Sequence, residues 1–236
     1  MNYRYTIHPL GDSAITIDFG NLIDEATNDC VMSIFQYLRK QTIPGIRDLI
    51  PCYSSLTIVY DPVTVNNILH ISDAFSFFKT QLVQSAEKAG AKTIAATTVI
   101  KIPVCYHETL APDLNLLSVK TNLTTEEIIQ LHCDKVYRVY MIGFLPGFAY
   151  MGKVDRRIAV SRKENPSPFV PSGSVGIAGE QTGIYPLDSP GGWNIIGRTP
   201  LKMFDVNEEK PVGLNPGDRV QFIRITMKEF QQLKQD

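Results

Sequence analysis

The residues richest in chemical possibility lie between Gly176 and Pro200, in GIAGEQTGIYPLDSPGGWNIIGRTP. The stretch holds six glycines, three prolines and the chain's only tryptophan. Glycines let successive backbone N–H groups face an anion, and Gly173, Gly176 and Gly179 recur here at even spacing. A phosphate loop, however, needs GxxxxGK[ST] between a strand and a helix. No lysine follows these glycines, GxGxxG is absent, and their surroundings do not read as strand–turn–helix, so the phosphate-loop reading fails. What remains is a set of polar groups able to orient a small ligand. Ser172, Ser174, Gln181 and Tyr185 offer hydrogen bonds to an amide or carboxylate. Arg198 offers the planar fork that clamps a carboxylate or phosphate. Each has a plainer alternative, since such side chains also satisfy turn backbone or stay solvated. Trp193, behind Gly191 and Gly192, is either a core plug or the floor of a groove.

A second aromatic stretch, MIGFLPGFAYMG at 141–152, sets Phe144, Phe148 and Tyr150 among three glycines and a proline. Two accounts stand side by side: a tight corner plugging a barrel end, or a pocket wall where glycine lets backbone approach a ligand. Four histidines complete the inventory: His8, His70, His107 and His132, without HxH or HExxH. His132, at the end of a predicted helix, is the candidate for proton transfer, set against a purely structural role. No Ser–His–Asp or Cys–His–Asn set can be assembled, and GxSxG is absent.

Composition narrows the classes. The chain has 236 residues, 44% hydrophobic and 20% charged, the profile of a globular protein of one or two domains. A formal charge of -1 gives no basic surface for nucleic acid. The start, MNYRYTIHPLGDSA, lacks an apolar signal-peptide core, and no run is long and apolar enough for a membrane span. A cytoplasmic location is the default expectation. Cys30, Cys52, Cys105 and Cys133 form no CxxC and are expected as free thiols, with no metal site.

These residues need elements to hold them. YRYTIHP and SAITIDFG read as a strand pair; DEATNDCVMSIFQYLRK switches to a helical period, acidic at its start and basic at its end. TIPGIRDLIPCYSSLTIVYDP supplies two more strands, and a single helix is expected from Val65 to Lys88. The order ββαββα implies an α+β domain over residues 1–90, a ferredoxin-like type of sheet with helices on one face. A boundary is expected within AEKAGAKTIAATT, and residues 91–236 form the second domain. There VIKIPVCY and KVYRVYMIGF read as strands, and Thr124 with Glu127 caps a short helix over 125–133. Beyond Gly143, short apolar runs cut by glycine and proline read as a barrel or sandwich, ending in strand DRVQFIRIT and a helix capped by Thr226 and Glu229.

Taken together, YRVYMIGFLPGFAYMG and VPSGSVGIAGEQTGIYPLDSPGGWNIIGRTPLKMF closely resemble the family of bacterial 5-oxoprolinase B subunits, also called allophanate hydrolase subunit 1. LGDSAITIDFG, IPCYSSLTIVYDP and IPVCY extend the resemblance to essentially the whole chain. It implies that the second domain is a mainly β, cyclophilin-like barrel. It also implies a component acting with subunits C and A in ATP-dependent opening of 5-oxo-L-proline to L-glutamate. ATP is then used by the assembled complex, with none assigned to this chain alone, and the isolated chain is expected to be inactive. The family includes an inhibitor of a sensor histidine kinase and resembles urea- and allophanate-processing systems, which supply the alternatives. By matching positions, the implied site covers His132 and Arg198 as catalytic candidates. Phe144, Phe148, Ser174, Gln181, Tyr185 and Trp193 are substrate- or partner-binding candidates, with Gly173, Gly176, Gly191 and Gly192 as structural glycines. The chain departs from the family pattern at His107 and Glu108, at Ser172, and at Ser167, where relatives often carry arginine; Arg162 is retained.

Overall fold

A computed structural model describes residues 4–89, 98–208 and 213–234. The chain divides into two compact units, Met1–Ala96 and Thr97–Asp236. The boundary expected after residue 90 lies outside the described residues.

The first unit runs β1 (Thr6–Pro9), β2 (Ala14–Asp18), α1 (Glu25–Arg39), β3 (Ile46–Pro51), β4 (Ser55–Tyr60), α2 (Pro62–Leu69) and α3 (Ala74–Ala89). Its four strands form an antiparallel sheet in the order β1-β2-β4-β3. Alternation decides the faces. Ile15 and Ile17 of β2 and Leu56, Ile58 and Tyr60 of β4 are buried in one core with Val31, Ile34 and Leu38 of α1 and Phe78 and Leu82 of α3. The intervening Thr16 and Thr57 meet across the strands at 2.8 Å between hydroxyls. Asp24 caps α1 by accepting from the Thr27 amide, and buried Asn28 donates to the Cys52 and Tyr53 carbonyls, pinning the helix to the β3–β4 turn.

The long helix expected over 65–88 is two helices. Asp61 caps the first, Pro62 opens it where a missing N–H costs nothing, and His70 ends it in the left-handed conformation at φ 56°. Asp73 then accepts from the Ser76 amide to start α3. The resulting order, ββαββαα, differs from the βαββαβ of a ferredoxin-like unit.

The second unit is a closed barrel. Its strands are β5 (Val99–Cys105), β6 (Val136–Ile142), β7 (Ala149–Gly152), β9 (Ser174–Ala178), β10 (Gln181–Ile184), β12 (Asn194–Arg198) and β13 (Arg219–Ile225), in the cyclic order β10-β7-β6-β13-β5-β12-β9. Six of the seven contacts are antiparallel, and β13 lies parallel to β5. Two short strands, β8 (Ser167–Val170) and β11 (Ser189–Gly191), form a separate ribbon. The interior is filled by inward-facing Ile102, Val104, Val139, Met151, Val175, Ile177, Ile184, Ile196, Val220 and Phe222. Helices α4 (Leu114–Thr121) and α5 (Thr125–Cys133) add Leu117, Ile128 and Ile129 to the same core. The capping box of Thr124 and Glu127 starts α5, and that of Thr226 and Glu229 starts α6 (Met227–Leu233). All four cysteines are free thiols. No helix among the described residues is long and apolar enough to cross a membrane.

Candidate functional site

The site is built from a pair of glycines. Gly176 on β9 and Gly183 on β10 face each other across the strands. A Cβ on Gly176 would stand 3.0 Å from Trp193 Cβ, and one on Gly183 would stand 3.1 Å from Trp193 Cζ3. Two absent side chains thus leave a flat shelf on the outside of the barrel, and the indole lies in it. Around Trp193, buried Phe148 and Tyr185 and half-buried Tyr150 make a second small core with Val170, Ala178 and Ile195.

The rings meet edge to face, the arrangement their quadrupoles favour. Phe148 lies 5.3 Å from Trp193 at 86° and 5.1 Å from Tyr185 at 88°. Tyr150 lies 5.8 Å from Trp193. Phe144, at the tip of the β6–β7 hairpin, reaches in with an edge contact of 5.7 Å to Phe148 while remaining 64% exposed. Its φ of 69°, with a 2.9 Å bond from the Leu145 amide to the Gly143 carbonyl, makes a tight three-residue turn.

These rings, with Arg162, Pro166, Pro190, Gly191 and Gly192, enclose an open groove of about 220 Å³. Gly191 is required there, because a Cβ would sit 2.3 Å from the Tyr185 hydroxyl. Gly192 has no such neighbour; its nearest contact would be an ordinary 3.8 Å to Pro166. Burial raises both the Tyr150 and Tyr185 hydroxyls, offset in part by the Arg162 charge and, at Tyr185, by a backbone hydrogen bond from Trp193. Both are therefore neutral phenols at neutral pH. The lining contains no serine, cysteine, histidine or carboxylate. Such a groove binds and orients; it carries no nucleophile.

Ser174 and Arg198 belong to a different, smaller groove of about 110 Å³, lined also by Asp113, Lys163, Ser167 and Phe169. Its centre is an ion pair between Lys163 and Asp113 at 2.6 Å. Asp113 also accepts from the Ile195 amide at 2.7 Å, and Lys163 donates to Ser167 at 3.0 Å. Arg198 Nε donates to the Ser172 carbonyl at 2.7 Å, holding the turn between β8 and β9. In that turn Gly173 adopts φ +81°, and a Cβ would strike the Thr199 carbonyl at 2.4 Å. Ser167 is thus a hydrogen-bond partner of Lys163 in this second groove.

The remaining two candidates stand outside both grooves. Gln181 opens β10 opposite Gly152 and Ala178 and lines neither. His132 is fully buried inside the barrel, stacked on Phe222 at 4.5 Å. Its Nε2 lies 2.9 Å from the Thr182 hydroxyl, which donates to the Gly176 carbonyl at 3.0 Å. Thr182 therefore accepts from His132, fixing the Nε2–H tautomer. Nδ1 is then the acceptor for the Tyr106 hydroxyl at 2.8 Å, itself reached by the Cys133 thiol at 3.4 Å. The chain Cys133, Tyr106, His132, Thr182, Gly176 thus runs donor to acceptor throughout. Burial lowers the His132 pKa to about 3, so the ring is neutral, and it lines neither groove. Its role in the geometry is to tie α5 to the strands that carry the Trp193 shelf.

The aromatic run read as a possible pocket wall does supply Phe144, Phe148 and Tyr150 to the first groove, whereas sequence reading misses Arg162 there and the Asp113–Lys163 pair in the second. The signal for those rings is the glycine spacing of the run. Asp113 and Lys163 have none, being brought together only by the fold.

The comparisons with known proteins agree with this architecture. Residues 5–214 match the family described as "Carboxyltransferase domain, subdomain C and D". The chain is 41% identical over 238 residues to the 5-oxoprolinase B subunit of Bacillus subtilis, covering 100% of this chain and 99% of that protein. It is 34% identical over 262 residues to the urea amidolyase of Saccharomyces cerevisiae, covering 99% of this chain and 13% of that much longer protein. Among solved structures, TTHA0988 superposes with a TM-score of 0.78 at 33% identity, over 90% of this chain and 40% of that chain. Matched over 100%, 93% and 72% of its length by three 5-oxoprolinase B subunits, at 41%, 30% and 42% identity, the chain belongs to that family.

Proposed function

We propose that the chain is the B subunit of an ATP-dependent 5-oxoprolinase, inactive alone and completed by subunits C and A. One observation carries the reading: an open aromatic groove that offers ring-stacking area, phenol donors and a cation, with no nucleophile of its own. A five-membered lactam fits such a groove in kind, being flat, with an amide for hydrogen bonding. The lactam is a poor electrophile until its carbonyl oxygen is made a leaving group. In the reaction proposed, the γ-phosphoryl of ATP passes to that oxygen. Water then adds to the carbon, the ring C–N bond breaks with the nitrogen taking a proton to leave an acyl phosphate, and a second water cleaves that anhydride, releasing phosphate and leaving glutamate.

The two grooves described above are not built for a triphosphate. Neither groove has a strand–turn–helix glycine cradle, and Asp113, preceding α4 at the smaller groove, places a carboxylate where phosphate would lie. The phosphoryl-transfer step is therefore assigned to the partner subunits, and this chain to binding and orienting the lactam. The seven-stranded barrel with helices in its core supports a cyclophilin-like classification of the second unit. The test is ATP-dependent glutamate release from 5-oxoproline with the three proteins mixed. Turnover is expected only when this chain is present; equal turnover without it overturns the assignment. Urea and allophanate, assayed in parallel, should not be consumed.

A further inference from the structure

Arg162 is the one charged residue lining the aromatic groove. Its guanidinium carbon lies over the Trp193 ring, 5.9 Å from the centroid, within cation–π range and with its N–H donors facing the groove it lines. Its neighbour Lys163 is already neutralised by Asp113 at 2.6 Å. No carboxylate pairs with Arg162 among the described residues, whereas the other ion pairs of the unit hold Arg156, Arg157, Lys202 and Arg224.

The backbone beside Arg162 is held on both sides. Asn194 Nδ2 donates to the Ser161 carbonyl at 2.9 Å, and the Lys163 amide donates to the Gly192 carbonyl at 2.8 Å. Asn194 is fully buried and flanks Trp193. The same short segment 191–194 thus holds both the indole and the backbone that carries the arginine above it. An exposed cation on a pinned backbone, poised over an aromatic floor, is the arrangement that recognises an anion attached to a flat ring.

We propose that Arg162 is the specificity-determining residue of the groove and that it reads the carboxylate of a small cyclic amide acid. The ring of such a ligand lies among Phe148, Tyr150, Tyr185 and Trp193 while its carboxylate meets the guanidinium edge. This inference rests on the reading of the chain as a 5-oxoprolinase component and adds to it the residue that separates 5-oxoproline from uncharged lactams.

Trp193 is the chain's only tryptophan, so intrinsic fluorescence reports on this groove directly. The full chain is titrated with 5-oxoproline and with 2-pyrrolidone, which has the same ring and no carboxylate. The same titrations are run on Arg162→Met, which keeps much of the stem and loses the charge, and on Arg162→Lys, which keeps the charge and loses the fork. 5-Oxoproline is expected to bind at least about tenfold more tightly than 2-pyrrolidone, with Arg162→Met abolishing the difference and Arg162→Lys keeping part of it. In the three-protein mixture, Arg162→Met should raise KM for 5-oxoproline by a similar factor with kcat largely kept, because the carboxylate does not change during the reaction.

Equal affinity for the two rings, an unchanged titration in Arg162→Met, or silence of Trp193 together with an unchanged KM would each overturn the proposal. The two readings fail separately. Glutamate release with unchanged KM in Arg162→Met removes the carboxylate assignment and leaves the 5-oxoprolinase assignment standing. Carboxylate-selective binding without glutamate release does the reverse.

Discussion

The buried His132 predicts a specific loss of stability in mild acid. Burial depresses its pKa from 6.5 to about 3, so between those values the unfolded chain binds a proton that the native barrel does not. Stability contributed by the neutral ring is therefore fully present above about pH 6.5 and is lost as pH falls toward 3. One proton corresponds to about 1.4 kcal/mol per pH unit in that window. Integrated from pH 7 to pH 5, the loss is about 2 kcal/mol, and it changes little if the native pKa is one unit higher. The other lowered groups act mainly below pH 5, Glu127 and Glu229 from an ordinary value of 4.5 and the aspartates from 3.8, and they act alike in a chain that differs only at His132. Asp61 is held at about 2 by hydrogen bonds from Thr64 and then Arg47, and Asp155 at about 2 by Arg157. Their contributions disappear only in stronger acid, below the ordinary aspartate value. The raised cysteine and tyrosine groups titrate in base.

The assay is urea unfolding at pH 7 and pH 5, followed by Trp193 emission, which reports on the barrel alone. His132→Gln cannot titrate, so its stability should fall by about 2 kcal/mol less than that of the natural chain over the same interval. Proton NMR of the natural chain should show a His132 ring that stays neutral down to about pH 4. Identical pH dependence in the two proteins, or a ring that titrates near 6.5, would refute the account of a neutral, tautomer-locked histidine.

Gly191→Ala forces a methyl onto the Tyr185 hydroxyl and should cost about 1–3 kcal/mol, with a shifted Trp193 emission maximum; a stability within experimental error of the natural chain contradicts the packing described. Asp113→Asn leaves partly buried Lys163 without its counter-charge and should cost about 1–3 kcal/mol in urea unfolding, an effect that disappears if Lys163 is changed to Met in the same chain. Phe144→Gly relieves the left-handed φ of the hairpin tip and should leave stability unchanged or raise it by up to about 1 kcal/mol, while weakening 5-oxoproline binding read by Trp193. A clear loss of stability would mean the exposed ring contributes more to the small aromatic core than its contacts indicate.

Much of the framework is readable before any coordinates. Asp24, Thr124 and Thr226 each announce a helix start through a local hydrogen bond to the backbone three residues on, and local rules suffice for local bonds. The break between α2 and α3 escapes such rules because apolar residues continue across it, whereas its cause is the conformation of His70 and the cap at Asp73. Helix α4 escapes for a related reason: Asp113, at its start, sends its carboxylate to Ile195 and Lys163 instead of capping its own helix. Within the candidate site, the aromatic residues are legible because glycines and prolines cluster around them. The polar ones are not separable. Ser174, Gln181, His132 and Arg198 look alike in sequence as hydrogen-bonding groups, and only burial and distant partners sort them into a groove wall, a strand start, a core relay and a turn clamp. Arg162 does not stand out in the sequence because the residue that commits its neighbour, Asp113, comes from a remote segment.

Strand β13 follows the other six barrel strands in the chain, yet it is the stave that closes the cylinder, inserted between β5 and β6 and parallel to β5 from Arg219 to Ile225. A parallel pair of strands so far apart along the chain imposes a high contact order, and with it slow closure. During synthesis the first unit can complete its own sheet while the barrel still waits for its final strand, with the facing edges of β5 and β6 unpaired. The shelf under Trp193 uses none of these late contacts, since β7, β9, β10 and β12 precede β13. The binding face can therefore assemble before the barrel closes, and the strand-edge pairing that remains is the step most exposed to misassembly and aggregation.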